Sequence, residues 1–124
     1  MSGHPARLDV RPPYYLVAFS SSRRPDLDGA AYARTAALME QLVQRSPGYL
    51  GAESAAQGDK GITLSYWRDE ASIREWKRNA EHLVAQQLGK EAWYAAYRTR
   101  VALVQREYGW EEEAAEAERD RRRE

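Results

Sequence analysis

Residues 49–67 read YLGAESAAQGDKGITLSYW, and the order of polar and apolar side chains in this stretch decides the fold. Gly58-Asp59-Lys60-Gly61 has the composition of a hairpin turn. After it, Ile62, Leu64 and Tyr66 alternate with Thr63, Ser65 and Trp67, so the two sets lie on opposite faces of a strand. Before it, residues 49–55 form the partner strand, and the hairpin makes the sheet antiparallel. On the second face Trp67 stands among small polar neighbours, which leaves room beside the ring.

Working outward from the hairpin, Ser46-Pro47-Gly48 stops a preceding helix, because proline cannot continue the backbone ladder. That helix opens at Asp28, an N-cap residue type, and shows Tyr32, Ala36, Met39 and Val43 three to four residues apart. Upstream, residues 14–19 (YYLVAF) are short, aromatic and bounded by Pro12-Pro13 and Ser20-Ser21-Ser22, as a strand would be. Downstream, Asp69 caps a short helix in which Ile73 and Trp76 face inward. A second helical stretch is expected over residues 81–98, kinked at Gly89, with His82, Gln86, Trp93 and Tyr97 spaced by about one turn. Residues 101–108 close the domain as a strand.

The element order is β-α-β-β-α-β, an α+β chain of the ferredoxin-like class with helices on one face of an antiparallel sheet. One helical layer covers one sheet face, so a second copy packing sheet to sheet is expected to cover the other, giving a homodimer. Residues 1–13 form an N-terminal arm, residues 14–109 the domain and residues 110–124 a charged tail. In the tail, Glu111–Glu113 precede Arg121–Arg123, the order a helix macrodipole favours.

Composition narrows the function. The 124 residues include no Cys and carry a formal net charge of zero. That excludes a disulfide framework, Cys-ligated zinc and a thiol nucleophile, and it leaves His4 and His82 as the imidazoles, so no metal site is expected. The balanced charge lacks the footprint of a nucleic-acid binder. No apolar run approaches the ~20 residues of a membrane span. Without a signal-type apolar stretch at the amino terminus, a cytoplasmic location is expected.

The pieces PGYLGAES, SYW, HLVAQQLG, WYAAY and RV, spread across residues 14–108, resemble the antibiotic-biosynthesis-monooxygenase family, in particular its small single-domain members. The resemblance implies a dimeric α/β barrel of two ferredoxin-like protomers. It also implies either oxygenation of quinols, anthrones and other phenols by dioxygen without a cofactor, or haem binding and degradation. The haem-degrading pattern has a strand-one Asn, a helical Trp and a His ten residues later; Trp76 matches the Trp, Gln86 stands at the His position and Ser20 or Ser21 on strand one. His82, one turn before Gln86, keeps haem open as the alternative cofactor. The cofactor-free pattern has a Trp ending strand three, matched by Trp67, with an Asn four residues earlier, where this chain has Thr63.

The candidate catalytic residues are therefore His82, a side-chain type suited to general acid–base work, and Trp67. Trp76, Gln86, Tyr66, Trp93, Arg100 and Ser20 are candidates for binding a planar aromatic substrate, through flat apolar walls and a few hydrogen bonds. The same aromatic positions also suit an ordinary core, and a dimer that binds a ligand without catalysis stays a further alternative.

Overall fold

A computed structural model describes residues 4–88 and 93–112, apart from the side chains of residues 87 and 88. Six elements follow in the expected order: β1 (Tyr14–Arg23), α1 (Gly29–Gln44), β2 (Tyr49–Gln57), β3 (Lys60–Trp67), α2 (Glu70–Leu88) and β4 (Tyr94–Val104). The sheet order is β2-β3-β1-β4, and every pairing is antiparallel.

Local chemistry explains the helix starts. Asp28 accepts hydrogen bonds from the Ala30 and Ala31 backbone N–H groups at 3.0 and 3.1 Å, and Asp69 accepts from Ser72 N–H at 2.8 Å. Both satisfy donors that have no partner inside the helix. The buried residues of α1 are Thr35 and Val43, while Ala36 is exposed; the inward stripe thus passes through Thr35 in place of the expected Ala36. After α1 the chain turns at Gly48, where φ is +80° and a Cβ would lie 2.2 Å from Ser72 Oγ. Only glycine suits that position, on both conformational and steric grounds. Its carbonyl accepts from Arg68 N–H at 2.8 Å, tying this turn to the end of β3.

Two segments differ from the sequence expectation. The helices expected around Ile73 and from residue 81 onward are one continuous α2, and Tyr94, Tyr97 and Arg98 lie on β4, not on a helix. Four-residue spacing places side chains on one face of a helix, yet it is also twice the two-residue period of a strand, so Tyr97 and Val101 satisfy either reading. Ten paired positions against β1 decide for the strand. The expected kink at Gly89 and most of the charged tail, residues 113–124, lie outside the described residues.

Register assigns the sheet faces. Trp67 pairs with Tyr15, and Tyr15 with Leu103; Ser65, Val17 and Val101 form the next row, then Thr63, Phe19 and Thr99. These rows face the helices, since Val43, Trp67 and Ile73 form the core with Tyr15, Val17, Tyr49 and Trp76 packed against it. Tyr14, Leu16, Ala18 and Ser20 face away from the helices, with Tyr66, Leu64 and Ile62 beside them on β3 and Val104, Ala102, Arg100 and Arg98 on β4. A bulge between Tyr49 and Gly51 turns Tyr49 toward the helices and leaves Gly51 beside Tyr66 on the open face. No described helix is long and apolar enough to cross a membrane.

Candidate functional site

The structure distributes the candidate residues among four places. The first lies between sheet and helices at the end where β3 stops. Trp67 has no exposed surface, stacks on Trp76 at 6.0 Å between ring centroids and meets Tyr49 edge-on at 5.4 Å. Its indole N–H donates to Ser65 Oγ at 2.9 Å. The polar neighbour that suggested room beside the ring thus serves the ring itself. A buried indole N–H needs an acceptor, and Ser65 supplies one from two residues away on the same face. Trp76 and Tyr49 are only partly buried, so both reach solvent from either side of Trp67.

At the opposite end of the same sheet face, a second group of rings gathers. Phe19 lies 5.4 Å from Tyr94 and 5.5 Å from Tyr97, while Tyr32 lies 5.0 Å from Trp93. The Arg23 guanidinium sits 5.7 Å above the Tyr32 ring. Trp93 is buried here. Burial and then the neighbouring Tyr32 hydroxyl push the Tyr94 pKa upward. Between the two aromatic groups the helices leave one side of β4 open. Tyr97 is 64% exposed, Val101 47% and Leu103 46%, with Thr99 also exposed.

His82 and Gln86 occupy a third place, a groove of about 250 Å³ between α1 and α2 lined also by Leu42, Asn79 and Leu83. Their shared helix face is as the spacing predicts, but the groove contains neither Trp76 nor any β1 residue.

The fourth place is the open sheet face, where Tyr66, Ser20 and Arg100 lie. Tyr66 OH donates to Glu53 Oε1 at 2.7 Å, and the other Glu53 oxygen accepts from Ala6 N–H at 2.6 Å. Tyr14 meets Tyr66 edge-on at 5.8 Å and donates its hydroxyl to Glu107 at 2.5 Å. Burial and then the Glu107 carboxylate push the Tyr14 pKa up to about 12; burial and then Glu53 raise that of Tyr66. Both phenols therefore stay protonated at physiological pH, as donors. Glu53 is half-buried and doubly engaged, not a solvated edge residue. Sequence reasoning does not find this network, because the arm, β1, β2, β3 and the segment after β4 meet only through the tertiary fold.

With this geometry in view, the family profile for antibiotic biosynthesis monooxygenases (ABM) matches residues 13–88. The chain belongs to the ABM family. The uncharacterised protein YqjZ of Bacillus subtilis is 42% identical over 97 residues, covering 77% of this chain and 83% of YqjZ. Among solved structures, a variant of SnoaB, a cofactor-independent oxygenase from Streptomyces nogalater, superposes with a TM-score of 0.61 at 8% identity, covering 77% of this chain and 97% of SnoaB. A variant of MhuD with two manganese protoporphyrin IX bound per active site superposes with a TM-score of 0.56 at 14% identity, covering 77% of this chain and 99% of MhuD. At these identities the structural likeness establishes the ABM fold, whereas the chemistry of each relative remains its own.

Proposed function

We propose that this ABM-family protein is a monooxygenase that uses dioxygen to oxidise a small planar aromatic substrate, a quinol or polyketide-like phenol, without metal or flavin, and that it works as a homodimer. The observation that carries the proposal is the open side of β4, Tyr97, Thr99, Val101 and Leu103, set between two groups of aromatic rings under an incomplete helical cover. An apolar strip edged by rings and hydroxyls suits a flat, weakly polar molecule. Trp76, fixed from behind by Trp67, forms one wall, and Trp93 holds the other ring group in place.

An anthrone-type substrate balances the chemistry without any other reductant. Its enolate gives electrons to dioxygen, the ring CH₂ becomes C=O, one oxygen atom enters the product and the other leaves as water. The protein's tasks are to bind the ring, favour the deprotonated form and exclude solvent. A general base must lie within hydrogen-bond reach of the proton it takes. His82, beside Gln86, lines the interhelical groove and not the β4 strip, so it is the proposed proton acceptor for a substrate seated in that groove. His82→Ala discriminates the two seats: a kcat lowered about a hundredfold with little change in KM puts the substrate beside His82, and an unchanged kcat keeps it on β4 and removes His82 from the mechanism. Haem titration of the same protein tests the other family chemistry, and a Soret band lost in His82→Ala would argue for it.

Support for the homodimer comes from the thin core. The buried apolar side chains among the described residues are Tyr14, Val43, Trp67, Ile73 and Trp93, while Ile62 on the open face is 51% exposed. A second sheet over that face would supply the burial one protomer lacks. Oxygen uptake above the buffer rate with quinols or anthrones is the functional test.

A further inference from the structure

Two adjacent arginines stand where β1 gives way to the following loop, in the run Ser22-Arg23-Arg24-Pro25-Asp26, and the structure gives them different partners. Arg24 is spent on Asp26, with Nε 3.2 Å from Oδ1 and Nη2 3.3 Å from Oδ2. Arg23 turns toward α1 instead. Its guanidinium lies 5.7 Å above the Tyr32 ring, and Nη2 donates to the Gly58 carbonyl at 2.6 Å. No ion pair among the described residues involves Arg23.

We infer that Arg23 and Ser21 form an anion subsite at the Tyr97 end of the β4 strip, and that the substrate is therefore a planar aromatic carboxylate. The inference rests on the proposed monooxygenase reading, with the substrate seated on β4, and names its substrate class.

The subsite has space because a glycine stands in it. Gly61 pairs with Ser21, and Ser21 with Tyr97, so the three share a row on the helix-facing side of the sheet. A Cβ on Gly61 would sit 3.6 Å from Ser21 Oγ and 3.7 Å from Arg23 Nη1. Its absence leaves a gap where a hydroxyl and the edge of a guanidinium meet. A guanidinium has five N–H donors, and the bond to Gly58 uses one. Stacked on one ring and tied at one nitrogen, the fork is held in place before any ligand arrives, and a carboxylate is the planar acceptor that matches it. The Tyr94 phenol, kept protonated by burial and then by the Tyr32 hydroxyl, adds no competing negative charge. The neighbouring row, Thr63, Phe19 and Thr99, lies two residues along the strands, roughly 7 Å at the rise of a strand. A fused-ring plate laid on that row carries a substituent at its edge to Arg23.

The test is calorimetric titration with 2-naphthoate and with its neutral counterpart 2-naphthamide. Neither is a quinol or an anthrone, so binding is read apart from turnover. The wild type is expected to bind naphthoate about tenfold more tightly, the range for a charge-assisted hydrogen bond over a neutral one. Arg23→Gln should abolish that preference and leave the naphthamide affinity unchanged, whereas Arg24→Gln, at the arginine already paired with Asp26, should keep it. Gly61→Val retains Arg23 but fills the gap, and should also weaken naphthoate about tenfold; it supplies a second readout if circular dichroism shows that Arg23→Gln does not fold. Equal affinities of the wild type for the two probes, no detectable naphthoate binding, or a preference that survives either Arg23→Gln or Gly61→Val overturns the subsite while leaving oxygenation of neutral anthrones untouched. An Arg23-dependent preference in a protein that oxygenates nothing keeps the subsite and removes the monooxygenase reading.

Discussion

Replacing Trp67 with alanine tests whether this ring is the keystone of the helix–sheet packing. The side chain has no exposed surface, touches Trp76 and Tyr49 and spends its N–H on Ser65. Removing so large a buried ring costs the transfer energy of its atoms plus a cavity term, about 3–5 kcal/mol together. At roughly 4 °C per kcal/mol for a chain of 124 residues, Tm should fall by about 12–20 °C. Ser65→Ala is the finer probe: it leaves the indole N–H buried without an acceptor and should cost about 1–3 kcal/mol. Ser65→Ala should cost less in a Trp67→Phe background, which has no N–H to strand. Urea unfolding followed by circular dichroism, at one fixed protein concentration because the proposed dimer would couple association to stability, measures all four variants. A loss below about 1 kcal/mol for Trp67→Ala would refute the assignment of Trp67 to the core and return it to the role of a pocket residue.

Other perturbations probe separate parts of the fold. Gly48→Ala forces a Cβ to within 2.2 Å of Ser72 Oγ at a φ of +80° and should destabilise by about 2 kcal/mol in the same urea assay; a neutral result would mean that the turn relaxes freely. Alkaline titration reports the buried phenols. Below pH 10 the folded and unfolded states both hold the Tyr14 proton, and the contribution of this group is complete. Between pH 10 and about 12 the unfolded chain releases that proton while the folded chain keeps it, so stability falls as pH rises. Tyr14→Phe should flatten that fall, and an unchanged slope would contradict the burial assigned to Tyr14. Phenolate absorbance should show Tyr14, Tyr66 and Tyr94 ionising later than free tyrosine.

Local signals in the sequence reached a long way. The hairpin after β2, the Asp28 and Asp69 caps and the Pro47-Gly48 stop each depend on neighbours a few residues apart, and all are found near where the pattern puts them, the turn itself being Gly58-Asp59 with Lys60 and Gly61 already in β3. The start of β4 was not legible, because the spacing of its rings fits two periods and only pairing with β1 distinguishes them. The site was less legible than the fold for a related reason. Trp76 points inward as its spacing predicts, yet which face each strand residue shares with which helix is a matter of register. A bulge at residue 50 moves Tyr49 onto the Trp67 side and Glu53 onto the Tyr66 side, a change that no local pattern announces. His82 and Gln86 share a face as expected, but that face meets α1 and not the tryptophans.

The most direct measurement of the proposed activity is incubation of the chelator-treated protein with ¹⁸O₂ and a panel of anthrones and quinols, followed by mass spectrometry of the products. A product carrying one ¹⁸O atom, formed faster than in buffer and slowed by Trp76→Ala, is the expected result. Label incorporation at the buffer rate for every substrate, from a folded protein, would contradict the assignment of this chain as a cofactor-independent aromatic monooxygenase.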